Sequence, residues 1–149
     1  YPWIINPHAT VPMVSEQWAK YKQTLAQSGN PVPDTLPMMR ELYVAEDHET
    51  AYVKSEQYLA PKYQAYASWG QDKVLPGKES FNIPYQELAK DRFLLGSPKE
   101  VVQEIRRYEH ELEANYMIFR MQWPGMAQAE VLHQIELMGK EVIPKVKSV

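Results

Sequence analysis

Seven residues of this chain have types and positions suited to chemistry: His8, Arg40, Trp69, Gln71, Arg120, Gln122 and Trp123. His8 follows the apolar run Trp3-Ile4-Ile5 within Asn6-Pro7-His8. An imidazole there can donate to a ligand oxygen, or act as acid or base near neutral pH. Loops that follow strands favour such groups; the plainer reading is a loop histidine that caps the next turn. Arg120 and Gln122 end an apolar run two residues apart, so on a strand they share a face. That points a cation and an amide the same way, with Trp123 beside them to stack on a ring or wall a pocket. The plainer reading is a structural ion pair and a core tryptophan. Arg40 stands among apolar neighbours, and an unpaired buried charge is very costly. It needs Glu41, Glu46 or a further segment as partner, or it faces a pocket. Trp69 and Gln71 end a long helical stretch, where they form a lid or simply pack.

Other chemistries find no support. No two histidines stand at metal-ligand spacing with a carboxylate, so no metal is expected. His48, His110 and His133 sit amid charged neighbours and read as solvated faces. The tyrosines from Tyr52 to Tyr66 read as core before they read as a cofactor box. There is no glycine-rich phosphate cradle, nucleophile elbow or nucleotide fingerprint.

The elements that must position these residues alternate. Trp3-Ile4-Ile5, closed by Asn6-Pro7, reads as a buried strand. A helix follows, capped by Ser15 and ended by Gly29-Asn30-Pro31, with Val14, Trp18, Tyr21 and Leu25 as its stripe. Leu36 to Ala45 is the second strand. Asp47 caps a helical stretch to about Ser68, which Pro61 should kink or split. Gly70 to Pro84 reads as a loop. Ser97-Pro98-Lys99-Glu100 is a capping box with Pro at the first helical position. The stripe behind it is Val101, Ile105, Tyr108 and Leu112. Tyr116 to Gln122 is nearly all apolar, which predicts a strand covered on both faces. The last helix runs from about Gln128 to Val142, on Val131, Ile135, Met138 and Val142. Alternating strands and helices predict a parallel α/β architecture. Periodicity alone leaves two forms open, a piece of a (β/α)8 barrel and a compact three-layer domain.

Composition bounds the rest. The chain has 149 residues, 44% apolar and 23% charged, which is globular composition. No apolar run reaches the roughly 18 residues that span a bilayer. The net charge is −3 and the basic residues are scattered, so neither nucleic acid nor membrane is an expected partner. The absence of cysteine excludes a disulfide scaffold, a thiolate metal site and a cysteine nucleophile, and fits a cytoplasmic, reducing setting. The start, Tyr1-Pro2-Trp3, carries no signal-peptide pattern and reads as if inside a protein.

Three segments carry a resemblance: Asn6-Pro7-His8-Ala9-Thr10, the run Lys62 to Gln71 containing Trp69-Gly70-Gln71, and a tail. The tail holds Asp91-Arg92-Phe93-Leu94-Leu95-Gly96-Ser97-Pro98-Lys99-Glu100 and then Phe119-Arg120-Met121-Gln122-Trp123-Pro124-Gly125-Met126. Together they resemble the C-terminal part of the luciferase-like flavin-dependent monooxygenases, the bacterial-luciferase superfamily, over essentially the whole chain. The Gly-Ser-Pro-Lys-Glu start is common in that family; the Trp-Gly-Gln and Arg-Met-Gln-Trp-Pro-Gly-Met runs are more specific.

The resemblance implies a TIM-type barrel with a flavin, FMN or alternatively a deazaflavin coenzyme, at the C-terminal ends of the strands. The three strands here correspond to barrel strands six, seven and eight. Residues 46–91 form a helical insertion between strand seven and its helix, and the whole chain, 1–149, is the C-terminal part of one barrel domain. Strands one to five, with the flavin's phosphate loop, lie outside it. In that layout His8 and Arg120 are the catalytic candidates, and Trp123 and Gln122 the cofactor-binding ones. Arg40, Trp69 and Gln71 belong to the substrate pocket or lid. The partners implied are flavin, a small organic substrate, and either the N-terminal part of the barrel or further copies. The alternative function is a non-catalytic fragment that self-associates through exposed half-barrel surface.

Overall fold

A computed structural model describes residues 3–76 and 79–146. Tyr1 and Pro2, on which the reading of the chain's start rests, lie outside the described residues.

The elements are α1 (Val11–Gln27), β1 (Pro37–Val44), α2 (His48–Ser68), α3 (Tyr85–Ala89) and β2 (Leu94–Gly96). They continue with α4 (Pro98–Leu112), β3 (Tyr116–Arg120), α5 (Gln128–Leu137) and α6 (Ile143–Val146). A π-helical turn, Met138–Val142, joins α5 to α6. The sheet is parallel in the order β2-β1-β3, with Met38 opposite Met117 and Glu41 opposite Arg120.

The expected first strand shrinks to one rung. Ile5 bridges to Met38 by donating its N–H to Pro37 and accepting from Met39. That rung lies on the β2 side of β1, because β3 occupies Met38 from the other side. The adjacency expected of barrel strands six, seven and eight is therefore kept. β2 was not expected as a strand; it pairs with the last residues of β1 and leads straight into α4.

The caps explain most of the helix boundaries. α1 starts earlier than expected: Thr10, not Ser15, is its N-cap, and Pro12 enters the first turn. Gly29, at φ +67, ends it in the left-handed region that glycine tolerates. Asp47 caps α2 through the Thr50 N–H, and Pro61 leaves α2 as one helix. The capping box of α4 forms as expected, with both Ser97 and Glu100 taking part, and its expected stripe is buried.

Two strand and helix expectations are corrected. β3 stops at Arg120 and is only half-buried, because among the described residues it is paired on one side alone. In α5, Gln134 is buried where Ile135 was expected, since its amide oxygen accepts from the Val44 N–H at the end of β1. Ile135 faces outward.

Alternation along β1 separates two cores. Met38, Leu42 and Val44 pack outward against α1, α4 and the π turn. Tyr43 joins a second cluster built by α2, α3 and the chain after β3. The stretch from α2 to α3 thus sits over the C-terminal end of the sheet. Among the described residues no helix is long and apolar enough to cross a membrane.

Candidate functional site

Glu41 is the centre of the polar cluster at that end of the sheet. Its side chain is fully buried on the Tyr43 side of β1. Three donors converge on its carboxylate. Trp123 Nε1 donates to Oε2 at 2.8 Å, Arg120 Nη1 donates to Oε1 at 3.2 Å, and Lys62 Nζ, from α2, donates to Oε1. The first two follow from register: β3 places Arg120 opposite Glu41, and Trp123 follows just beyond the strand. Lys62 follows from the insertion, whose helix brings its ammonium to 5.7 and 5.5 Å from the ring centres of Tyr63 and Tyr66. Burial lowers the Lys62 pKa, and Glu41 opposes that fall.

His8 lies beside this cluster in an aromatic box. Tyr63, Tyr66 and Phe81 surround the ring at 5.6, 5.1 and 6.1 Å between centroids. Nδ1 stands 3.2 Å from the Tyr63 hydroxyl. The Asn6 side chain accepts from the His8 N–H and fixes the loop. Burial is the main cause that pushes the imidazole down to about 4; Glu41 opposes it, while Lys62, Arg120 and Arg92 reinforce it. At neutral pH the ring is uncharged. One carboxylate then faces two cations, so the cluster carries net positive charge.

Arg120 has spare donor capacity. Its side chain is 37% exposed, and among the described residues the one hydrogen-bond partner of Nη2 is the Met39 sulfur at 3.7 Å. A guanidinium end held by one side and open on the other suits a carbonyl oxygen or an anion.

The other expected residues fall elsewhere. Trp123 is buried, with the Tyr43 and Tyr58 rings stacked near it at 6.3 and 6.2 Å between centroids, and its indole N–H is taken up by Glu41. The two tyrosine hydroxyls in turn donate to Glu130. Gln122 lies beyond the end of β3 and is exposed. Trp69 is exposed at the end of α2, 5.7 Å from Tyr66. Gln71 is half-buried and donates its N–H to the Tyr66 carbonyl.

Arg40 does not join the cluster. It sits on the opposite face of β1 from Glu41, buried under α4, and pairs with neither Glu41 nor Glu46. Its Nη1 donates to the Asn6 carbonyl at 2.9 Å, and its guanidinium lies 5.5 Å from the Tyr108 ring centre. Burial lowers its pKa.

Glu41 and Lys62 belong to the candidate site without being expected there from the sequence. The signal for Glu41 was available: an acid in a strand, one residue from Arg40, must point to the other face. Lys62 gave no such signal, because its role depends on where the insertion folds. A concavity of about 740 Å³ lies apart from the cluster, between α2, α3 and α4. Among the described residues no group of side chains could hold a metal ion.

No protein-family model matches the chain, and no curated protein matches it. Solved structures do. The monooxygenase RslO1 from Streptomyces bottropensis matches with a TM-score of 0.73 at 17% identity, over 97% of this chain and 41% of that one. The oxygenating constituent of 3,6-diketocamphane monooxygenase from Pseudomonas putida is a type II Baeyer-Villiger monooxygenase, in complex with FMN. It matches at 0.64 and 18%, over 96% of this chain and 42% of that one. An F420-dependent secondary alcohol dehydrogenase, in complex with an F420-acetone adduct, matches at 0.63 and 17%, over 95% and 42%. The chain spans about 41% of the length of the first of these. At such identities the likeness is one of fold: this chain has the architecture of part of a (β/α)8 barrel.

Proposed function

We propose that the chain forms the C-terminal part of a flavin-dependent oxidoreductase or monooxygenase of the luciferase-like type, acting on a small organic substrate. The observation that carries this reading is the cluster of Glu41, Lys62, Arg120 and His8 at the C-terminal end of a partial barrel. TIM barrels place their functional groups at that end. The fold neighbours include one protein with FMN and one with F420, which supports FMN, or a deazaflavin, as the cofactor.

The donor set fits such a group. Arg120 Nη2, without an oxygen partner among the described residues, would hold a carbonyl or anionic edge of the ring system. A bound flavin supplies hydride and oxygen chemistry that no side chain can perform. The chain's own part is positional and electrostatic. Glu41 fixes Arg120 and Lys62, and Trp123 fixes Glu41. The excess positive charge favours a ligand that gains electrons. Uncharged His8 can donate to, or accept from, a substrate oxygen without first losing a proton. The insertion carrying Lys62 and Trp69 forms the cover that excludes water.

A second reading is a non-catalytic piece that acts through assembly. The half-exposed β3, whose outer flank is unpaired among the described residues, favours it. Native mass spectrometry of the purified protein separates the two. A bound flavin mass supports the enzyme reading. A bare chain or homo-oligomer, still bare after incubation with FMN and with F420, overturns it.

A further inference from the structure

The two ring nitrogens of His8 have unlike surroundings. Nδ1 stands 3.2 Å from the Tyr63 hydroxyl, whereas Nε2 has no hydrogen-bond partner among the described residues. Burial keeps the ring uncharged at neutral pH, so it carries one proton. The group that faces one nitrogen then decides which of the two holds that proton. Tyr63 is fully buried, and its hydroxyl has one proton to give. Burial holds its pKa well above the ordinary value, so it stays a phenol. Two acceptors compete for that proton. One is His8 Nδ1. The other is the buried Pro7 carbonyl, 3.4 Å away, whose one partner among the described residues is this hydroxyl. If the phenol donates to Nδ1, one bond forms and the carbonyl is left unpaired. If it donates to Pro7, its oxygen accepts from Nδ1–H, and two bonds form in series. An unpaired buried carbonyl is costly, so the series prevails. Tyr66 and Phe81 also border the ring, but aromatic faces accept hydrogen bonds only weakly and do not reverse the choice.

We propose that Tyr63 is a positioning residue that holds His8 in its Nδ1–H form, so that His8 meets a ligand as a hydrogen-bond acceptor at Nε2. The group that His8 recognises is then a donor, an O–H or N–H. Arg120 in the neighbouring cluster offers the opposite, N–H groups for a carbonyl or anionic oxygen. The site therefore selects a ligand that carries both kinds of group. A hydroxylated compound satisfies His8, and an ether or a ketone without a further donor does not. This recognition step rests on the proposed function, because it takes the cluster as a ligand site. The tautomer itself does not depend on that reading.

NMR of the full chain with nitrogen-labelled histidine, at neutral pH, tests this. His8→Gln assigns the His8 signals among the four histidines. The expected result is a protonated Nδ1 and a bare Nε2 at His8. Tyr63→Phe keeps the buried ring and removes the hydroxyl, and it should move the proton toward Nε2. A merely structural Tyr63 would change the melting temperature and leave the tautomer as it is. Phenol titrated into the parent should shift the Nε2 signal saturably. Anisole, the same ring without a donor, should leave it in place. A proton on Nε2 in the parent overturns the proposal, whether or not Tyr63→Phe folds. A tautomer unchanged in folded Tyr63→Phe overturns it too, as does anisole acting like phenol, or phenol leaving Nε2 unmoved. None of these signals requires a flavin, so failure to bind FMN counts against the proposed function alone.

Discussion

Arg120 on β3 and Glu41 on β1 are register partners, and the pair is completed by a third residue from outside the sheet. The Arg120 Nη1 to Glu41 Oε1 distance is 3.2 Å, and Lys62 reaches the same oxygen from α2. Glu41 has no exposure to solvent. Two strands and the insertion are therefore tied at one buried carboxylate.

Removing that charge should be expensive. Glu41→Gln leaves a buried ammonium and a half-buried guanidinium without their counter-ion, and breaking such a pair costs about 3 kcal/mol or more. Urea denaturation should show this as a lower midpoint at unchanged slope. Adding Lys62→Met should restore part of the loss, because the two positions share one interaction. A cost below about 1 kcal/mol would mean that water, not Glu41, balances the cations.

His8 makes stability depend on acidity. Its folded pKa is depressed to about 4, below the ordinary 6.5, so the unfolded chain binds more protons between these values. Stability contributed by neutral His8 is therefore present above about pH 6.5 and is lost as pH falls toward 4. The ring is partly solvated, so the loss is on the order of 1–2 kcal/mol rather than the full linkage value. Thermal melts from pH 7 to pH 4 should show the decline, and it should flatten in His8→Gln. An equal decline in that variant would place the titrating group elsewhere.

Ser97 is expected to be purely structural. Its side chain accepts from the Glu100 N–H, and Glu100 reaches back to the Ser97 N–H. Ser97→Ala should cost about 1 kcal/mol of stability and leave ligand affinity unchanged. A selective loss of ligand binding would give the α4 N-terminus a role beyond capping.

Local signals in the sequence located most of the fold. Asp47, the Ser97–Glu100 box and the α4 stripe act within a few residues, so they are readable in order. The errors occur where tertiary contacts decide. β3 looks doubly covered by composition, but its outer flank has no partner among the described residues. Gln134 displaces Ile135 from the core because a backbone N–H at the end of β1 needs an acceptor. The site divides the same way. His8 and Arg120 were legible as residues that follow or end strands. Glu41 and Lys62 were not, since their meeting depends on the insertion folding back over the sheet.

Under the proposed function the cluster at Glu41 is a ligand site, with Arg120 presenting its open end. The most direct test is an FMN titration of the purified protein and of Arg120→Gln, followed by flavin fluorescence, with a thermal melt of each. Saturable binding that weakens at least about tenfold in Arg120→Gln, at similar melting temperature, is the predicted result. Absence of binding, or binding of equal strength in the variant, would contradict it.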